Sequence, residues 1–182
     1  MLEFRWNKGI FFFLIIALSL PAFSVDKATS LRIAQIIEKH KQDIIDLRRF
    51  IHMNPELSNR EFETSKLVSS KLLSLNMEVH SGIAKTGVIG LLRGKQDGIT
   101  IGVRADMDAL PIEEQTGLPY ESLNKGIMHA CGHDIHTSIV LGTAMVLNEM
   151  RDQVKGNIKF IFQPAEEGVP PGEEVGAALM IK

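Results

Sequence analysis

Six consecutive residues, His129-Ala130-Cys131-Gly132-His133-Asp134, set a thiol, two imidazoles and a carboxylate on one short run of chain. Thiolate and imidazole are borderline-soft donors, suited to zinc, cobalt, nickel or manganese in a mixed site. Gly132 leaves the backbone between Cys131 and His133 free to fold so that both reach one centre. Asp134 is placed to hold an imidazole N–H, or to cap a following helix. Cysteine beside histidine would also suit a thiol nucleophile with its base, and a lone cysteine is commonly an apolar filler. A second run, Gln163-Pro164-Ala165-Glu166-Glu167-Gly168, weighs toward a metal. Adjacent carboxylates at the end of an apolar strand repel each other unless positive charge sits beside them. A bound cation supplies that charge, with one glutamate ligating it and the other free as a base. Glu173-Glu174 shows that such pairs are also ordinary, so the second run argues for a metal only in company with the first. A third run, Arg104-Ala105-Asp106-Met107-Asp108-Ala109-Leu110-Pro111, places Asp106 and Asp108 two apart after a strand. There they orient metal-bound imidazoles, bind metal directly, or form a polar strand-end turn.

The elements that position these runs are read from periodicity. Ser30 can cap a helix whose residues Ile33, Ile36, Ile37, Ile44, Leu47 and Ile51 follow helical spacing, and Asn54-Pro55 ends it. Ser58 and Glu61 form a capping-box pattern for a second helix that buries Phe62, Leu67, Val68, Leu72 and Leu73. His40, His52 and His80 have no second ligand at useful spacing and are read as solvated or structural. Val79 lies in a short extended piece. Residues 86–93 and 99–104 are β-rich with a turn over 94–98, which predicts a hairpin. Residues 106–133 read as long functional loops. A third helix starts at Asp134 or Thr137, runs to about Met150, and is apolar nearly all round, so it should be buried. Residues 157–163 form another strand. Strands interleaved with such helices predict an α/β layered domain. Asp106 and Asp108 follow one strand, and Glu166 and Glu167 follow another, at the carboxyl ends where sites in open α/β sheets gather.

Composition agrees with a globular domain: 182 residues, 45% hydrophobic and 23% charged, with a formal net charge of −2. There is no long basic run after the N-terminus, which argues against nucleic acid or an anionic membrane surface as the main partner. Arg5 and Lys8 precede an apolar stretch from Ile10 to Phe23, and Ala22-Phe23-Ser24 offers small residues at a peptidase site. This reads as a signal peptide over 1–24, cleaved after Ser24 for export to the periplasm or beyond. The stretch is shorter than the roughly 20 apolar residues that span a bilayer, so no stable membrane span remains after cleavage. A retained anchor is the alternative. Cys131 is the single cysteine, so it forms no disulfide within the chain.

The runs R-A-D-M-D-A-L-P, H-A-C-G-H-D-x-H and P-A-E-E-G, in this order and spacing, resemble the aminoacylase and hippurate hydrolase type of metallopeptidase. That family includes hydrolases of auxin–amino acid conjugates. Arg48 to Ser58 (R-R-x-I-H-x-N-P-E-L-S) also resembles the family's first helix end. The resemblance implies a three-layer α/β/α zinc-peptidase-like domain binding two divalent metal ions (manganese, zinc, cobalt or nickel). It implies Cys131, His133 and Glu167 as metal ligands and Glu166 as general base. Asp106 takes no firm role and His136 is not counted as a ligand. The implied reaction is hydrolysis of a small N-acyl amino acid to a carboxylic acid and a free amino acid. The two metals acidify a water and polarise the amide carbonyl, and Glu166 moves the water's proton to the amine. The family has two further histidine ligands after P-A-E-E-G, whereas the last histidine here is His136. Residues 25–182 are therefore expected to be the N-terminal part of a catalytic domain, truncated, with the lid domain absent and activity lost. The alternative is a non-catalytic exported metal-binding protein.

Overall fold

A computed structural model describes residues 25–182, and the expected signal peptide lies outside the described residues. Helix α1 (Lys27–Met53) opens at Asp26, whose carboxylate accepts from the amides of Ala28 and Thr29 at 3.0 Å each. Asp26 thus takes the capping place expected of Ser30; its charge also meets the positive end of the helix dipole. Asn54 closes the helix as expected. The first amides of helix α2 (Phe62–Ser74) are met by the Glu56 carboxylate, which accepts from Glu63 N at 3.1 Å and Thr64 N at 2.8 Å, and not by Ser58 or Glu61, which corrects the capping-box reading. Val68 and Leu72 are buried on it, whereas Phe62 and Leu73 are exposed, off the stripe formed by Thr64, Ser65, Val68 and Leu72.

Strands β1 (Glu78–Ile83), β2 (Gly87–Arg93), β3 (Gln96–Asp106) and β4 (Lys155–Gln163) form one sheet in the order β1-β2-β4-β3. The expected hairpin of β2 with β3 is not formed: β4 lies between them, antiparallel to β2 and parallel to β3. The side chains of β4 fit this place, because Phe160 and Phe162 are wholly buried, and an interior position pairs both of its backbone edges. The parallel β3–β4 pair needs a long crossover, which helix α3 (His133–Glu149) and its preceding loop provide. Gly156, at φ +74°, passes so close to Ile99 and Gly98 that a side chain there would meet their backbone.

One core covers one face of the sheet. Val88, Leu92, Ile158, Phe160, Phe162 and Ala105 meet Leu47 of α1, Val68 and Leu72 of α2, and Val140, Leu141 and Ala144 of α3. Burying such side chains contributes about 1.5–3 kcal/mol each. On the opposite face Ile89, Leu91 and Ile161 are half-buried and Lys159 is exposed. The α/β layering expected from the sequence is present, and the described residues form two of its layers. Helix α3 is not buried all round, since Ile135 and Ile139 are 45% and 57% exposed on its outer side. No helix among the described residues is long and apolar enough to cross a membrane.

Candidate metal centre

Three segments converge at the carboxyl ends of β3 and β4: residues 106–110, residues 129–133 leading into α3, and residues 164–168. The amide of Met107 donates to Gln163 O at 3.0 Å and ties the two strand exits together. Gly132 adopts φ +90°, a left-handed backbone that glycine takes without steric cost. Cys131 therefore stays in the loop while His133 begins the helix, and both side chains turn to the same point. Donor atoms of Cys131, His133 and Glu167 lie within 4.8 Å of one another. The structure thus brings together the three residues expected to meet.

His133 is buried and its ring is fixed. Nδ1 donates to the carbonyl of Asp108 at 2.8 Å, and since a carbonyl only accepts, the proton sits on Nδ1. Asp108 Oδ1 lies 3.3 Å from the same nitrogen, acting through charge although it is not aligned as a hydrogen bond. Nε2 is left facing Glu166 Oε2 and Glu167 Oε1, each at 3.7 Å. The sequence offered Asp134 for this supporting role, but Asp134 accepts instead from Arg48 Nε and His52 Nδ1, at 2.8 Å each. His52, bonded also to Glu114 at 3.1 Å, is structural and buried; His80 is exposed beside Glu78, and His40 bonds to Glu149.

Asp108 is the hub of the centre. Its Oδ2 accepts from the Ser58 hydroxyl at 2.6 Å and from the Glu167 amide at 2.9 Å. Burial pushes its carboxyl up, but His133, Ser58 and the amides of Glu167 and Glu166 outweigh this and hold it at about 2. Burial likewise opposes a charged His133 ring, yet the Asp108 carboxylate and carbonyl push it up to about 9. The Glu167 carboxylate beside it pushes the Cys131 thiol up, with burial and the charges of Glu166 and Asp106 acting the same way. Both donors therefore hold protons that a cation must displace.

A divalent ion fits this donor set. Glu167 Oε1 is buried with no hydrogen-bond partner among the described residues, and an unpartnered polar oxygen is costly in an interior. A cation among Cys131, His133 and Glu167 satisfies it. Asp106, His133 and His136 form a second group of donors within 4.8 Å. It competes for the one uncommitted nitrogen of His133, and Arg104 already pairs with Asp106 at 2.5 Å, so these two groups do not each hold an ion. Glu166, by contrast, is exposed, its side chain 42% accessible beside the donors. His129 is buried with neither ring nitrogen bonded among the described residues, and burial pushes its pKa down to about 4. It takes no place in the donor group.

Sequence reasoning missed the function of Ser58 and Glu61. Glu61 is wholly buried; its Oε1 accepts from the amides of Asn59 at 3.1 Å and Ala165 at 2.8 Å, and its Oε2 from the Thr86 hydroxyl at 2.5 Å. Burial raises its pKa. Beside Glu167 a cleft of about 440 Å³ opens, walled by Leu57, Arg60, Leu110, Pro111, Val169 and Pro170.

A mixed sheet whose strand ends present clustered cysteine, histidine and carboxylate donors is the architecture of metal-dependent peptidases and amidohydrolases. Residues 102–182 match the model of peptidase family M20/M25/M40 and belong to a domain of that family. Over 127 residues it is 50% identical to the N-acetyl-L-cysteine deacetylase of Bacillus subtilis (strain 168), covering 70% of this chain and 30% of that one. Over 146 residues it is 44% identical to the N-acyl-L-amino acid amidohydrolase of Geobacillus stearothermophilus, covering 80% and 40%. The Bacillus subtilis YXEP protein, described as a dinuclear metal binding peptidase from the M20 family, aligns with a TM-score of 0.69 at 49% identity. That match covers 71% of this chain and 36% of the other. The chain spans about a third of the length of the curated relatives it matches. The resemblance carried by the three runs is thereby borne out at the level of the family.

Proposed function

We propose that the protein is a metal-dependent amidohydrolase that splits small N-acyl amino acids into a carboxylic acid and a free amino acid. The observation that carries this reading is the unpartnered, buried Glu167 Oε1 facing Cys131 and His133, with the exposed carboxylate of Glu166 beside it. The names of the relatives, a deacetylase of N-acetyl-L-cysteine and an N-acyl-L-amino acid amidohydrolase, support the substrate class. Cys131, His133 and Glu167 would hold a divalent ion; manganese, zinc, cobalt and nickel all suit such donors. When bound, the ion lowers the pKa of a water and polarises an amide carbonyl. Glu166 takes the proton of the attacking water and returns it to the amine as it leaves. Asp108 keeps the His133 proton on Nδ1, so that Nε2 stays available. The apolar walls of the neighbouring cleft, Leu57, Leu110, Pro111 and Val169, would receive the apolar part of the substrate.

The test is a titration with cobalt or zinc. Because His133 and Cys131 both hold protons without metal, binding must release them, so affinity is expected to rise from pH 6 toward pH 9. Each released proton steepens the rise by up to about tenfold per pH unit. Cys131→Ser should weaken binding and flatten that dependence, since the hydroxyl is a poorer donor than thiolate. Equal affinity in wild type and Cys131→Ser at every pH would remove Cys131 from the centre.

We further place the mature protein outside the cytoplasm, from the basic-then-apolar N-terminus ending at Ala22-Phe23-Ser24. N-terminal sequencing of exported material is expected to read from Val25. Met1 on membrane-bound protein would show an anchor instead.

A further inference from the structure

We propose that Glu61 is a positioning residue of the metal centre: its buried carboxylate holds the left-handed turn at Ala165 and thereby sets the places of Glu166 and Glu167. The inference rests on the reading of Cys131, His133 and Glu167 as metal ligands.

Ala165 has φ +50°, a left-handed backbone conformation that a residue with a Cβ adopts only at a steric cost. Such a turn persists when its surroundings over-determine it. Here both polar groups of Ala165 are held: its amide by Glu61 Oε1 at 2.8 Å, its carbonyl by the Gly176 amide at 3.1 Å. The next two residues are Glu166 and Glu167, so the direction of both carboxylates is inherited from this turn. Glu61 itself has little freedom to move, since Asn59 N and Thr86 Oγ1 also donate to it. Three residues earlier, Ser58 bonds to Asp108, which in turn bears on His133. The segment 58–61 therefore reaches both ligand-bearing loops at once, one through Ser58 and the other through Glu61. A fully buried carboxylate is costly unless its acceptors are filled, and here the donors that fill them belong to the site's own scaffold.

What Glu61 supplies on this account is reach and acceptor geometry rather than charge. Glutamine preserves both: its carbonyl oxygen accepts from Asn59 and Ala165 while its amide donates to the Thr86 hydroxyl. Aspartate keeps the charge but is one methylene too short. The experiment is a cobalt titration of the full chain, read by thiolate-to-cobalt charge transfer, with circular dichroism and the melting temperature recorded on the metal-free proteins. Glu61→Gln is expected to stay within threefold of the wild-type affinity. Glu61→Asp is expected to lose at least tenfold, with the charge-transfer band retained because Cys131 and His133 remain. The reverse order, with Asp close to wild type and Gln impaired, would overturn the inference in favour of a charge role. A folded Glu61→Asp that binds cobalt as wild type does would overturn it as well. Should Glu61→Asp fail to fold, Glu61→Gln decides: loss of affinity at an unchanged melting temperature refutes the inference, and retained affinity supports it. A wild-type chain that shows no charge transfer at all would instead refute the ligand assignment on which the inference stands.

Discussion

Glu166→Gln is expected to lower turnover of an N-acyl amino acid by about 10²–10⁴ while leaving the bound metal in place. The two adjacent glutamates lie equally far from His133 Nε2, at 3.7 Å, so distance does not separate their roles. Burial does. Glu167 is drawn inward, its side chain only 18% accessible, with Oε1 unpartnered among the donors of Cys131 and His133. Glu166 faces outward, open to solvent. On the roles proposed above, an amide at position 166 cannot accept the water's proton, whereas an amide at position 167 removes an anionic ligand. Glu167→Gln should therefore lose metal and turnover together. The measurement is metal content by atomic emission alongside kcat on the full product of the gene. Near-normal turnover in Glu166→Gln, or equal metal loss in both variants, would defeat the assignment.

Asp108→Asn is expected to weaken metal binding by about 10–100-fold although Asp108 touches no metal in this scheme. The carboxylate serves three groups at once: Oδ2 accepts from Ser58 and from the Glu167 amide, and Oδ1 faces the Nδ1–H of His133. Asparagine must keep its oxygen on Ser58 and Glu167, which turns its NH₂ against the Nδ1–H, donor to donor. The imidazole then loses both its orientation and the negative charge that raises its basicity. A second readout isolates this cause. In the metal-free variant the His133 pKa, about 9 in the wild type, should fall toward the ordinary histidine range, as read by NMR titration. The sign follows from Asp108 favouring the charged ring: removing that charge favours the neutral one. An unshifted pKa with unchanged affinity would mean that the Asp108 carbonyl alone holds His133.

The meeting of Cys131, His133 and Glu167 was legible because it depends on residue type and short spacing. Only Gly132 separates the first two, and an apolar strand had to end just before Glu166. Helices α1 and α3 and strands β2 and β4 were legible for the same local reason, since burial on one face imposes a period that the chain itself displays. Pairing was not. Nothing in residues 86–104 indicates that a strand fifty residues later enters between β2 and β3; that choice belongs to Phe160 and Phe162, whose burial is greatest at the sheet's centre. The outer face of α3 was misread because Ile135 and Ile139 are as apolar as the residues that are buried, and composition carries no direction.

The clearest division lies at Ser58 and Glu61. Their types and spacing suit a helix cap, and a local reading cannot separate that use from another. The tertiary structure brings Asp108, Thr86 and Ala165 within reach, from 25 to 104 residues away. A hydrogen bond in the interior has no water competing for its partners, so leaving those donors unpaired would be costly, while the first amides of α2 are already met by the Glu56 carboxylate. The same contest decided which aspartate supports His133. Asp134 is its neighbour in sequence, but helix α3 turns that side chain toward His52 and Arg48, and Asp108 arrives from the loop after β3 to take the place. Residue type and short spacing therefore dictate which donors gather and what chemistry they suit. Which carboxylates hold them in position was decided only by long-range packing, because buried donors select their acceptors by proximity in space.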